Sequence, residues 1–329
     1  MSELRIGVVG ATGALGRQVV ASLDASDLAV ELVPFASRAS RATSLDVSGE
    51  PERVRVPTLP DLAELDAVVL ALPRDEAEAL LPGLLDEGVP VLDPTGVLGD
   101  APLFVPWANP WAVEDLREDG GVRLPGPLSL LLLAVCRPLQ ASFGLLSVRG
   151  TAWMPASIAG RAAIEELSGQ VVSLFNQQDP PRAIFREGLA FDVLPSWGPV
   201  GPDGWSVYEA NTATETASVL GLGDAAFAVT AMMAPLFAGL LASLTITLEQ
   251  QPGAEALHEL FADTPQLQHV DGRPLMPRAR GGHGTVAVGR LREDPAGQAL
   301  HLVASADPQA LVGAACVDVL TYCREHGQL

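Results

Sequence analysis

The chain has 329 residues, 48% of them hydrophobic and 18% charged, which excludes a mainly disordered chain and leaves room for two domains with formed cores. Forty acidic residues against 20 basic ones give a formal net charge of −20, a field that repels nucleic acid and anionic membrane surfaces. All 20 basic residues are arginine, so Schiff-base and lysine-base chemistry is excluded.

In chain order, "LRIGVVGATGALGRQVVASL" reads as a buried strand, a glycine turn and a helix with apolar residues at helical spacing. "VELVPFASR", "AVVLALP" and "VPVLDPT" are further short strands, and "RDEAEALLPGLLDEG" is a helix after the middle one. Alternating strand and helix implies a parallel, doubly wound α/β domain.

After Pro127 the character changes. A helix is expected from Leu128 to about Leu139, then a strand in "FGLLSVRGTAW" and a long helix in "AGRAAIEELSGQVVSLFNQQ". Asp179 to Asp203, rich in Pro and Gly, is a long excursion. "AFAVTAMMAPLF", "LLASLTITLEQ", "GTVAVGRLRED" and "ALHLVASAD" are strand candidates for a large mixed sheet, and "LVGAACVDVLTYCREH" is a closing helix. The expected division is a dinucleotide-binding domain over 1–127, completed by a helix at 308–329, and a second domain over 128–307.

"GATGALG" sets Gly10, Gly13 and Gly16, with Thr12, Ala14 and Leu15 between them, where a strand gives way to a helix. Such a turn brings backbone N–H groups and a helix N-terminus against a pyrophosphate. At the end of the next strand, Ser37, Arg38, Ser40 and Arg41 stand where an NAD site carries an acidic residue, which favours the 2′-phosphate of NADP over NAD. The competing reading keeps the glycines for the turn alone and leaves the arginines as surface charges.

Cys136, Cys316 and Cys323 form no metal-ligand pair and no disulfide framework, and the five histidines carry no zinc signature. No metal is expected. No signal peptide is read, and the longest apolar run, "LSLLLLAV", falls short of the roughly 20 residues a membrane span needs, so it is expected to be a buried helix. A cytoplasmic protein follows. His283, in "RARGGHG" beside Arg278 and Arg280, reads as a solvated turn residue, with anion binding as the alternative.

The "GATGALG" loop, "FASRAS", "PLFVPWANP", the "AGRAAIEEL" helix, "LAFDVLPS", "ETASVLGL", "PLFAG" and "VGRLRED" together resemble the aspartate-semialdehyde dehydrogenase family over nearly the whole chain. Within the family the chain resembles more closely still the Usg-type homologues, which lack its established activity. It implies an N-terminal Rossmann-like NAD(P)-binding domain, an α+β dimerisation domain with a large mixed sheet, and a homodimer. It also implies a cysteine nucleophile, a histidine base, an orienting glutamine and a substrate-binding arginine, which fall here on Leu128, Leu240, Met154 and Met233. Ala238 stands for the arginine of the base motif, Asn211 for a lysine with Glu209 retained nearby, and "QALVG" (Gln309 to Gly313) for a polar segment of the last helix. "PTGVLGDAP" lacks the family's phosphate-binding arginine.

Nucleophile, base, orienting amide and anion-binding cations are thus exchanged together, mostly for apolar groups. No catalytic residue remains at the family's positions. The expectation is a non-catalytic homologue that keeps an NADP site and serves interaction or regulation, with an unidentified protein partner. The alternative is an NAD(P)-dependent oxidoreductase acting on an aldehyde or oxo group of more apolar specificity, for which Ser129, Tyr208 and His283 are the proton-donor candidates. Read by family alone, the chain would be a semialdehyde dehydrogenase of amino-acid biosynthesis.

Overall fold

In the computed structural model, residues 3–37, 44–115, 120–294 and 299–329 are described. The chain divides into two compact units, one of Met1–Gly126 with Val312–Leu329, the other of Pro127–Leu311.

The first unit is built on a five-stranded parallel sheet in the order β2-β1-β5-β6-β7, formed by Leu4–Val9 (β1), Val30–Phe35 (β2), Ala67–Leu70 (β5), Val91–Asp93 (β6) and Gly121–Arg123 (β7). The central strands are buried except at Arg5, and β5 is wholly apolar, as a sheet covered on both faces requires. Ala14–Asp24 (α1) turns Gly16, Val19, Val20 and Leu23 inward, a single helical stripe. Thr58 caps the short helix Leu59–Ala63 (α2), and Arg74–Asp86 (α3) crosses from β5 to β6. Ser44–Val47 (β3) and Glu50–Arg53 (β4) form a separate hairpin that the sequence pattern did not suggest.

The second unit has a six-stranded mixed sheet in the order β11-β12-β13-β10-β8-β9. Its strands are Leu145–Met154 (β8), Phe227–Met233 (β9), Leu240–Leu248 (β10), Leu267–Val270 (β11), Val286–Glu293 (β12) and Leu300–Ala306 (β13). Pro127–Phe143 (α4) packs on β8, β10, β12 and β13. Leu128 through Cys136 are buried without interruption, so the apolar run is core. No helix among the described residues is long and apolar enough to cross a membrane.

α4 runs four residues beyond the expected end near Leu139. Pro138 lies inside it, although an interior proline costs about 3 kcal/mol. Burial of Leu139 and a bond from Gln140 Nε2 to Leu220 O (2.9 Å) hold the last turn in place.

Val207–Leu220 (α6) was also unanticipated. Its threonines blur the apolar stripe, but its ends carry signals: Ser206 and Glu209 form a reciprocal capping box, and Gly221 closes the helix at φ 67°. Ala254–Ala262 (α7) and β11 were missed as well, and Pro308–Glu325 (α8) is the closing helix.

The excursion after Arg161–Phe175 (α5) is tied down from below. Glu166 accepts main-chain N–H bonds from Ala183 (2.9 Å), Ile184 and Phe185 (2.8 Å each), and Gln170 Oε1 accepts from Leu189 and Ala190. Leu194 then bridges Met233, adding an edge contact to β9. Replacing Glu166 by Ala strips three main-chain donors of their acceptor at once, so Glu166→Ala is expected to cost about 2–4 kcal/mol. Chemical denaturation measures that loss, and hydrogen exchange should speed up first at residues 183–185.

Candidate functional site

In the glycine loop, Gly10 adopts φ 94°, and a Cβ there would lie 2.3 Å from Ala71 O. A Cβ on Gly16 would lie 2.1 Å from Gly10 O. Both glycines are therefore demanded by the turn itself. Gly13 is the N-cap of α1 and supplies no side chain to its first-turn N–H groups, and no acidic residue lies in that turn. Those donors suit a phosphate group. Thr12, Ala14 and Leu15 are half-buried around them, and Arg17 Nε bonds to Thr12 O (3.0 Å). Ser37 is exposed just past β2; Arg38, Ser40 and Arg41 lie outside the described residues.

After β6, the Asp93 carboxylate accepts from Thr95 N (2.7 Å), Thr95 Oγ1 (2.6 Å), Gly96 N (3.1 Å) and Leu98 N (2.8 Å). The donors of this loop, in the segment without the family's arginine, are already occupied by an internal anion.

In the second unit, Leu128, Met154, Met233 and Leu240 are each 0% exposed. Met154 and Met233 are direct partners across β8 and β9, and Leu240 directly precedes Leu241, which pairs with Trp153. Three of the four thus form an apolar row across one end of the three strands. Leu128 occupies the first turn of α4, opened by Pro127, whose missing N–H costs the helix nothing there. Ala238 is exposed. Glu209 is consumed structurally, accepting from Ser206 N (2.8 Å) and Ala231 N (2.9 Å), and Asn211 is exposed. Gln309 Nε2 donates to Ser157 O at 2.7 Å.

Beside Leu128, two of the three proton-donor candidates meet. Ser129 Oγ donates to Glu215 Oε2 at 2.6 Å, linking α4 to α6. The Tyr208 hydroxyl is buried with no hydrogen-bond partner, next to the Leu128 main-chain N–H and within reach of the Glu215 charge. Burial, and then Glu215, push its pKa well above the usual phenol value, so it stays a neutral donor. Glu215 escaped the sequence reading because its partner lies 86 residues away. His283 does not join this group: it is exposed in the loop after β11, its N–H bonded to Arg280 O (3.0 Å).

The three cysteines are buried and unpaired with one another. Burial alone pushes Cys136 up to about 12 and Cys323 up to about 11, and burial, then Asp318, raises Cys316. None has the lowered pKa of an activated thiol. Among the described residues, no group of three or more His, Cys, Asp or Glu is placed to hold a metal.

Two family models cover the chain: the semialdehyde dehydrogenase NAD-binding domain matches residues 5–116, and the semialdehyde dehydrogenase dimerisation domain matches residues 136–308. The chain belongs to the semialdehyde dehydrogenase family. Among its relatives, an aspartate-semialdehyde dehydrogenase of Shewanella sp. (strain DB6705) is 25% identical over 299 residues, 89% of this chain and 88% of that protein. A USG-1 protein homolog of Azotobacter vinelandii is 28% identical over 292 residues, 87% of each. The solved aspartate semialdehyde dehydrogenase II of Vibrio cholerae, complexed with ASA, superposes with a TM-score of 0.92 at 23% identity, covering 99% of both chains. The α/β architecture and the aspartate-semialdehyde dehydrogenase kinship implied by the sequence are those found.

Two outcomes follow from this geometry. Tyr208→Phe removes a buried hydroxyl and is expected to leave stability within about 0.5 kcal/mol or raise it, whereas Ser129→Ala removes the bond to Glu215 and is expected to cost about 0.5–2 kcal/mol, both read by denaturant melts. The thiols of the unfolded chain ionise near the ordinary value of 9.0 while Cys136 and Cys323 hold their protons to about 12 and 11. The unfolded state then binds fewer protons, so stability should fall as pH rises through this window. At pH 8, a thiol reagent should label the native protein far more slowly than the denatured one.

Proposed function

We propose that the chain is a non-catalytic homologue of aspartate-semialdehyde dehydrogenase, a homodimer that retains an NADP site. The observation that carries this reading is the fully buried apolar character of Leu128, Met154, Met233 and Leu240, the positions matched to nucleophile, orienting amide, substrate arginine and base. An aliphatic wall offers no counter-charge to a carboxylate or phosphate, and burying either anion there without a partner is prohibitive. The buried cysteines supply no substitute nucleophile.

Nicotinamide binding is supported by the NAD-binding family match and by the uncapped first turn of α1. Gly10, Thr12, Gly13, Ala14, Leu15 and Gly16 would hold the pyrophosphate, with Ser37, Arg38, Ser40 and Arg41 assigned to the 2′-phosphate of NADP. A bound nicotinamide cofactor would bring hydride-transfer chemistry, and the main-chain N–H groups at the start of α1 would hold its pyrophosphate.

Pairing of two copies is supported by the dimerisation-domain match and by exposed apolar side chains of the second unit. Phe175 and Phe191 are 77% and 68% exposed, stacked edge to face at 5.8 Å, with Val172 and Leu174 exposed on the same helix as Phe175. Such a cluster is the kind of surface that a partner subunit covers.

A second reading, an oxidoreductase reducing an apolar aldehyde or oxo group, draws on Tyr208 and the Ser129–Glu215 pair beside it. A neutral buried phenol can donate a hydrogen bond to a carbonyl oxygen. This reading requires NADPH consumption with short aliphatic aldehydes that Tyr208→Phe abolishes.

The first reading is tested with aspartate semialdehyde, NADP and phosphate. Neither the native chain nor Leu128→Cys should turn over, because the thiol alone lacks base and cations; phosphate-dependent turnover by Leu128→Cys would refute the reading. Sedimentation at micromolar concentration should give a dimer near twice 34.3 kDa.

A further inference from the structure

Arg280 is 7% exposed, yet no carboxylate among the described residues forms an ion pair with it. Its guanidinium meets neutral groups only: Nη1 donates to Gln268 Oε1 (2.7 Å), and Nη2 to Thr285 O (3.1 Å) and Thr285 Oγ1 (3.2 Å). Nε is buried without a partner. Burial lowers the pKa of the group, and no neighbouring charge opposes that shift. Buried charges in folded proteins are ordinarily paired. This one is left with an open donor and an uncompensated charge.

In the sequence, five arginines, Arg273, Arg278, Arg280, Arg290 and Arg292, lie between Asp271 and Glu293 with no acidic residue among them. Arg278 and His283 are exposed on either side of Arg280. Asp307, which holds the same loop, accepts from main-chain donors: Oδ2 from Gly282 N (3.0 Å), and Oδ1 from Gln309 N (3.0 Å) and Ala310 N (3.2 Å).

The loop is fixed rather than loose. Gly282 is tied to Asp307 at the end of β13, and the turn Pro277–Arg280 presses on Gly239, whose added Cβ would lie 2.2 Å from Pro277 O. With φ 80°, Gly239 admits this approach and no larger residue would. Arg280 is therefore presented from a loop that abuts the Leu240 end of β10.

We propose that Arg280 anchors a binding site for a small oxyanion, a phosphate or carboxylate group, in the loop from Arg278 to Thr285. A guanidinium already fixed at both η nitrogens by Gln268 and Thr285 is pre-oriented, and its Nε is the donor left for either group. Arg278, exposed two residues before Arg280, adds a second positive charge to the loop. The proposal needs no nucleotide and no turnover, so it stands or falls separately from the reading above.

The experiment compares thermal unfolding of the full chain in sodium chloride, acetate and phosphate at equal ionic strength and pH 7. In the same phosphate series, amide spectra of the ¹⁵N-labelled protein are recorded. A saturable rise in Tm with phosphate or acetate beyond that in chloride is expected, and the responding anion identifies the group. Amides of residues 281–284 should shift with the same midpoint. Arg280→Gln should lose the anion-dependent rise, while Arg278→Gln keeps at least half of it. Equal responses to all three salts, an unchanged response in Arg280→Gln, or shifts confined to the glycine loop at residues 10–16 would overturn the proposal. Should Arg280→Gln fail to fold, Arg280→Lys and the wild-type spectra decide the question.

Discussion

A charge taken out of water has to be met by another charge or by several hydrogen bonds, and this cost shapes the second unit. Glu166 and Glu209 are buried and meet it with main-chain N–H groups, and Asp307 does the same at the start of α8. Each carboxylate holds a loop or helix end in place. The row formed by Met154, Met233 and Leu240 offers neither kind of compensation. A sheet end built this way is stable as core and unsuited to holding a dicarboxylate.

The same constraint separates the two units chemically. In the first, the donors at the start of α1 remain without a side-chain cap, the arrangement that takes a phosphate. In the second, the first turn of α4 faces Leu128, a phenol and a carboxylate rather than a thiol. The residues proposed for nucleotide binding and those matched to the catalytic positions lie in different units.

Much of the fold was legible because its causes are local. The glycine turn, the unbroken apolar strands and the long buried run of α4 each follow from spacing and composition within about 20 residues. α6 was not, because Thr212, Thr214 and Thr216 interrupt its apolar stripe, and only the Ser206–Glu209 box and Gly221 mark its ends. The helix expected to end near Leu139 runs on to Phe143, through Pro138, because Leu139 is buried. The site residues divide in the same way. Substitution of the family's polar positions can be read from sequence order, whereas the Ser129–Glu215 bond, and the burial of Arg280 with no ion-pair partner among the described residues, depend on tertiary neighbours that no local pattern encodes.

The proposed retention of the nucleotide site is tested most directly by calorimetric titration of the purified protein with NADPH and then NADH. Saturable binding of NADPH, tighter than NADH and at one site per chain, is expected; failure to bind either nucleotide would refute it.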